Sequence, residues 1–181
     1  GNDLIRLAGS GDGGSGDDRF VSPSGTGPYA GGTGEDDFAI DYSTLPALDV
    51  ALTLTDSSVS VGAPSLPAIN VPVTSMEHAS LTTPIGGTHI IDGSGYSGSL
   101  TARGGEGTDT ITGGTGEDFL FGAGGSDTIT GGPGFDYVNA GAGADSLLLR
   151  DGAIDRGACG EGADTVVADT ADALSDCETA D

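Results

Sequence analysis

Residues 104–148 read GGEGTDTIT (from Gly104), GGTGEDFLF (from Gly113), GAGGSDTIT (from Gly122), GGPGFDYVN (from Gly131) and AGAGADSLL (from Ala140). Small residues hold the first, second and fourth places of each window, aspartate the sixth and an apolar residue the eighth. The template returns upstream as GGSGDDRFV from Gly13 and GGTGEDDFA from Gly31, and more weakly as CGEGADTVV from Cys159; five of these eight windows match every fixed place. A nine-residue period kept in phase in this way marks a solenoid built from one supersecondary unit per repeat.

Each unit divides into a six-residue turn and a three-residue strand. Glycine admits the backbone angles that turn carbonyls toward its inside. The strand sends only its central side chain inward, because strand side chains alternate between faces. Those central residues are Phe20, Phe38, Ile111, Leu120, Ile129, Val138, Leu147 and Val166, all apolar. Two units make one coil, so residues eighteen apart stack at about 4.8 Å. The expected fold is all-β, a right-handed parallel β-roll or β-helix. Its turns fall on two edges, with Asp109, Asp127 and Asp145 on one and Asp118 and Asp136 on the other; Asp18 and Asp36 share an edge near the N-terminus.

Carboxylates stacked at that spacing, with no Lys or Arg between them, repel unless a cation lies there. Carboxylate and carbonyl oxygens on a glycine-rich backbone suit Ca²⁺, which takes roughly 6–8 oxygen ligands. Zinc prefers Cys and His, and Mg²⁺ tends to keep its waters. The competing reading is that Asp and Gly are ordinary residues of solvated turns; it explains a single window but not five consecutive ones.

These windows resemble the RTX (repeats-in-toxin) calcium-binding family carried by exported proteases, lipases, toxins and adhesins. The resemblance implies that each ion lies between turns eighteen residues apart. The first turn gives its second and fourth carbonyls and its Asp; the next gives its first and third carbonyls and its Asp. Carried onto this sequence, one site uses Gly105, Gly107, Asp109, Gly122, Gly124 and Asp127. A second uses Gly114, Gly116, Asp118, Gly131, Pro133 and Asp136, and a third Ala123, Gly125, Asp127, Ala140, Ala142 and Asp145. The upstream pair gives Gly14, Gly16, Asp18, Gly31, Thr33 and Asp36. The window SPSGTGPYA from Ser22 keeps phase through Gly25 and Tyr29 but has Gly27 in the Asp place, so no ion is expected there.

The chain has 181 residues, 35 of them glycine, with 28 acidic residues against five arginines and a formal charge of −23. That charge disfavours nucleic acid and anionic membranes as partners. It also predicts an expanded metal-free chain whose folding is coupled to calcium. No stretch approaches the roughly 20 apolar residues of a transmembrane helix. With no basic-then-apolar leader and Gly1 at the start, the expectation is a mature, processed protein or an excised fragment. GNDLIR reads as the second half of a unit with Asp3 in the ligand place.

Cys159 and Cys177 are one full coil apart. On this lattice they lie over one another on adjacent rungs, within the Cα separation a disulfide accepts; the other reading is a pair of free buried thiols. A persistent disulfide and millimolar calcium both point to an extracellular, secreted or cell-surface location.

Four segments are expected: repeats over 1–39, a non-repeat β segment over 40–83, the regular roll over 84–149 and a disulfide-stapled cap coil over 150–181. Within 40–83 short alternating runs (Val50, Leu52 and Leu54; Val59 and Val61; Val71 and Val73) are separated by Pro46, Pro64, Pro67 and Pro72. They predict short strands, as longer rungs or as a flap beside the roll. The period then returns loosely, with His89 and Gly98 in Asp places and Ala102 and Arg103 as two extra residues that reset the phase. His89 is expected to face out of its turn as a neutral substitute for the aspartate.

Two histidines, no G-x-S-x-G, no H-E-x-x-H and no phosphate loop leave no converging catalytic set, and no wide aromatic platform for sugars is visible. The expected function is therefore a non-enzymatic, secreted calcium-binding structural protein. Its more specific form is a filament or matrix subunit assembling head-to-tail through open strand edges. The alternative is a calcium-folded export and folding module of a larger secreted enzyme or adhesin.

Overall fold

The computed structural model describes residues 1, 4–6, 11–21, 28–44, 49–63 and 66–177. Expectations about Asp3, positions 22–27, Pro46 and Pro64 lie outside them. The N-terminal coils supply β1 (Leu4–Arg6), β2 (Gly11–Ser15), β3 (Arg19–Val21), β4 (Tyr29–Thr33) and β5 (Asp37–Asp41). A middle stretch adds β6 (Ala51–Thr55), β7 (Ser58–Ala63), β8 (Leu66–Thr74) and β9 (His78–Thr82). The regular repeats give β10 (Ile90–Gly95), β11 (Ser99–Glu106), β12 (Thr110–Thr112), β13 (Phe119–Gly124), β14 (Thr128–Thr130), β15 (Tyr137–Ala142), β16 (Ser146–Leu148), β17 (Arg156–Glu161), β18 (Thr165–Val167) and β19 (Ala173–Ser175).

The strands form two sheets, as an alternating solenoid requires. One runs β1-β3-β5-β9-β11-β13-β15-β17-β19, the other β18-β16-β14-β12-β10-β6-β7-β8-β4-β2. Pairing between rungs is parallel and in the expected register, Leu120 beside Val138 in the first sheet and Ile111, Ile129 and Leu147 in line in the second. The fold is thus an all-β parallel solenoid of about eight turns, with no helix among the described residues.

The core is the double column of inward residues. Phe20, Phe38, Ile111, Leu120, Ile129, Val138 and Leu147 are buried, and each contributes roughly 1.5–3 kcal/mol by leaving water. Val166, near the open C-terminal end, is only half-buried. Gly157 occupies the inward place beside Val138. The gap it leaves is closed by Leu147, Leu149 and Leu174, whose methyl groups surround the point where its Cβ would stand.

Two positions depart from the expected period. Ala102 is not an extra residue: it is fully buried in the inward column, between Leu81 and Leu120. The two additional residues of that coil fall between Asp92 and Tyr96, where β10 shifts register, so that Leu100, not Gly98, donates its N–H to Asp118 Oδ1. His89 does not face outward either; it is fully buried, and its Nδ1 accepts the Val50 N–H at 3.2 Å.

The middle segment is built into the second sheet rather than laid beside it. β6 pairs parallel with β10, then β7 and β8 run as an antiparallel meander, and the end of β8 rejoins β4 in parallel through Tyr29–Val73 and Ala30–Thr74. Meanwhile β9 alone bridges β5 and β11 in the first sheet. Leu52, Leu54, Val59 and Val73 are buried, as their alternation requires. Pro67 falls in the part of β8 that β4 does not pair, where a missing N–H is tolerated.

Cys159 and Cys177 form a disulfide with a Cα separation of 4.9 Å. Cys159 is buried, whereas β19 is exposed at all three positions and pairs only with β17. Opening this loop by Cys177→Ser is expected to cost up to about 3 kcal/mol of stability. Hydrogen exchange would show β19 losing protection first while the central repeats keep their calcium.

Candidate metal centre

The structure assembles the predicted aspartates into two ladders. On one edge the N–H of Asp109 donates to Asp127 Oδ1 at 2.9 Å and that of Asp127 to Asp145 Oδ1 at 2.8 Å. On the other, the N–H of Asp118 donates to Asp136 Oδ1 at 2.9 Å. Asp18 repeats the contact with Asp36 at 2.8 Å. One carboxylate oxygen of each upper aspartate is thereby consumed in fixing the rotamer, and the other is left for another purpose.

That second oxygen, Oδ2, is buried in Asp36, Asp109, Asp127, Asp136 and Asp145 and meets no hydrogen-bond donor among the described residues. A buried carboxylate oxygen without a donor is costly. In four of them it lies over the first glycine of its own turn: a Cβ on Gly104, Gly122 or Gly31 would come within 2.4 Å of the Oδ2 of Asp109, Asp127 or Asp36 respectively, and one on Gly131 within 2.7 Å of that of Asp136, whereas the turn of Asp145 has Ala140 in that place. The first-place glycine therefore keeps open the space that this oxygen faces. Asp118 differs, because its Oδ2 takes the Gly114 N–H at 2.5 Å.

Carbonyls converge on the same spaces. Those of Gly14, Gly114 and Ala123, in second places, point at the rung that follows, as do those of Gly16, Gly107, Gly116 and Gly125 in fourth places. From the following rung the first-place carbonyls of Gly31, Gly131 and Ala140 approach the first-place glycines of the rung before. The third-place carbonyls of Thr33, Gly124 and Ala142 each accept an N–H from the preceding rung, from Gly16, Gly107 and Gly125. Oxygens from two rungs thus face one another between each pair of turns.

Burial pushes the carboxyls up. Asp127 and Asp136 rise to about 7, first through desolvation and then through neighbouring carboxylates, Asp109 and Asp145 around the one, Asp118 and Asp155 around the other. Asp36, Asp109, Asp118 and Asp145 are raised for the same leading reason. Groups held in this state favour a bound cation over a vacant, ionised pair. The donor set is all oxygen, and no three His, Cys, Asp or Glu side chains converge among the described residues. Such a set fits Ca²⁺ and not zinc.

Residues 103–153 carry RTX calcium-binding nonapeptide repeats. The family model of that repeat, in four copies, matches residues 103–138 and 121–153. Repeats of this kind are typical of secreted proteins, with which the disulfide is consistent. No curated protein matches the chain. Among the described residues no helix is long and apolar enough to cross a membrane.

Both ladders run further than the strict period shows. Asp136 donates its N–H to Asp155 Oδ1 and Asp145 to Asp164 Oδ1, each nineteen residues on, and Asp155 reaches Asp172. Asp155 and Asp164 also hold a buried Oδ2 without a donor. One residue added after Leu148 shifts Asp155 out of phase, which hides it from a nine-residue scan. At the other ends a different residue replaces an aspartate: His89 takes the donor's place, giving its N–H to Asp109 Oδ1, and Glu77 takes the acceptor's place, receiving the Asp36 N–H. Because His89 Nδ1 already accepts the Val50 N–H, its neutral ring carries the proton on Nε2 and offers no lone pair there.

The turn also dictates where side chains are forbidden. A Cβ on Gly125, at φ +125°, would stand 1.4 Å from the Gly107 carbonyl oxygen, whereas one on Gly14, at φ +87°, meets nothing within 4 Å. Ala123 already tolerates φ 85° in a second place. Gly125→Ala is expected to cost about 3 kcal/mol or more and Gly14→Ala about 1 kcal/mol, compared by thermal unfolding in saturating calcium.

Proposed function

We propose that this chain is a secreted, non-enzymatic protein whose role is structural and whose roll is completed by calcium. The observation that supports it is the file of buried Oδ2 oxygens, aimed into carbonyl-lined spaces between rungs. In this reading Asp109 with Asp127, Asp127 with Asp145, Asp118 with Asp136 and Asp18 with Asp36 hold the ions, together with the turn carbonyls described above. Bound calcium supplies positive charge between carboxylates that otherwise repel. The chain's own residues fix the oxygens through the N–H to Oδ1 ladder and exclude water with the apolar column beneath.

The more specific form is head-to-tail assembly outside the cell. Among the described residues β1 and β2 at one end, and β18 and β19 at the other, pair on one side only. All pairing across successive regular rungs is parallel, so a second copy could extend both sheets in the same direction. Contacts of that kind do not close and build fibres. Electron microscopy of the purified chain in calcium and in chelator tests this. Calcium-dependent fibres are the expected result; a persistent monomer in calcium overturns assembly and favours a folding module within a larger secreted protein.

A further inference from the structure

The outer face of the first sheet segregates the chain's scarce cations with its aromatic rings. From β11 to β17 the outward positions form two rows, Thr101, Phe119, Tyr137 and Arg156 in one and Arg103, Phe121, Asn139 and Ala158 in the other. None is acidic, in a chain with 28 acidic residues against five cationic ones. The Arg103 guanidinium lies 4.2 Å from the centre of the Phe121 ring, and Arg156 lies 5.5 Å from that of Phe135. Tyr137 joins the two phenylalanines, at 6.3 Å from Phe119 and 6.1 Å from Phe121. Phe119 is 47% exposed and Phe135 40%, so large apolar surfaces are held against water beside the cations. Phe119, Phe121 and Tyr137 come from windows about eighteen residues apart and meet only when the coil closes, so no platform is visible along the sequence.

The patch is continuous with a groove. From Phe119 a shallow channel runs along the roll past Thr101, Ser99, Ser80 and His78 to Arg19, with Asp37 its one carboxylate. The channel crosses the strands, so it follows the roll axis. The only ion pair among the described residues is His78 with Glu35, at 3.3 Å; none of the described carboxylates lies at that range from Arg19, Arg103 or Arg156.

The geometry points to this face as a binding site for an acidic polysaccharide, a chain of uronate sugars lying along the axis. Exposed rings stack on the C–H faces of sugars, and guanidinium forks take carboxylates in bidentate fashion. Arg103 and Arg156 are three strand spacings apart along the axis, about 14 Å, and two residues apart across it; a uronate residue is close to one such spacing in length, so both arginines can reach carboxylates of one extended chain from its two sides. Hydroxyls of Thr101 and Ser80 offer the partners that sugar hydroxyls need, and Ser99 Oγ, which donates to the Glu117 carbonyl, can still accept. Nucleic acid is the poorer fit, because beyond Phe119 the channel offers the hydroxyls of Thr101, Ser99 and Ser80 and no further exposed phenylalanine or tyrosine ring on which successive bases could stack. Calcium loading lowers the chain's negative charge. The site requires the folded roll and does not depend on head-to-tail assembly.

The test is calorimetric titration of the full calcium-loaded chain, with free calcium held in excess, using a defined-length oligogalacturonate. A neutral cello-oligosaccharide of equal length and an oligo-dT strand are titrated alongside. Oligogalacturonate is expected to bind at least about tenfold more tightly than either, since loss of one charge-assisted contact corresponds to about that factor. The double variant Arg103→Gln/Arg156→Gln is expected to lose at least about tenfold in affinity, and Phe119→Ser to weaken binding as well. Both variants alter exposed side chains, and their calcium content and strand signal are measured to show the roll intact. Absence of oligogalacturonate binding, equal binding by the double variant, equal binding of the neutral sugar or tighter binding of oligo-dT each overturns the inference. Failure of the calcium reading itself would show instead as wild-type chain that takes up no calcium.

Discussion

Stripped of calcium by excess chelator at neutral pH, the chain is expected to lose most of its strand circular dichroism, to expand in solution, and to recover both when calcium returns. The reason lies in the width of the roll. Each regular coil contributes only a few inward apolar side chains to the core, such as Ile111 with Leu120 or Ile129 with Val138 and Ala140, against the ordering cost of some eighteen residues at about 1–2 kcal/mol each. The metal-free roll would also have to hold Asp109, Asp127 and Asp145 in one buried file and Asp118, Asp136 and Asp155 in another. Calcium removes this penalty and replaces it with binding free energy, about 2.7 kcal/mol per site when calcium stands at a hundred times its Kd. Retention of full strand signal in chelator, with no calcium in the recovered protein, would refute the coupling.

Acid separates the two forms with opposite signs. In the metal-free fold Asp127 and Asp136 titrate near 7, above the ordinary carboxyl value of 3.8. A raised folded pKa means that the metal-free fold binds protons more readily than the unfolded chain. Its stability contribution is fully present below about 3.8 and is lost as pH rises to 7. Lowering pH in chelator from 8 to 4 is therefore expected to restore part of the strand signal. Calcium must displace those same protons, so its affinity falls as pH drops through 7. Parallel pH titrations, one in chelator and one in calcium, check both directions.

Much of this was legible in the sequence, and the exceptions have physical causes. The nine-residue period carries the inward column and the Asp edges because both follow from the pleat and the length of one coil. It fails where the coil changes length without losing its register. Asp155 keeps its ladder contact although Leu149 was added, since a turn can absorb one residue. Ala102 stays in the core because the longer turn after Asp92 takes up two. The β6–β8 meander was readable as strands but not as part of the second sheet, because alternation fixes which side chains are buried and not which strand lies alongside. His89 looked like a surface substitute because its acceptor contact comes from Val50, far away in sequence. The arginine and aromatic face was invisible for the same reason.

Asp127→Ala is expected to cost roughly twice as much as Asp18→Ala, about 5 kcal/mol against about 3 kcal/mol at calcium a hundred times its Kd. Asp127 stands between two others: its Oδ1 receives the Asp109 N–H, and its own N–H goes to Asp145 Oδ1. Its buried Oδ2 faces the space between rungs from the middle of the file. Removing it opens the sites on both sides, whereas Asp18 lies in the upstream pair with Asp36. Lost ladder contacts also contribute to an alanine variant, so Asp127→Asn divides the effect. The asparagine carbonyl can keep the Asp109 N–H while its amide replaces the oxygen that faces the ion. If the metal accounts for the penalty, Asp127→Asn retains the alanine variant's loss of calcium-dependent stability. If hydrogen bonding accounts for it, Asp127→Asn behaves as wild type. Thermal unfolding at several calcium concentrations distinguishes them, because only the loss of an ion site changes how the midpoint rises with calcium.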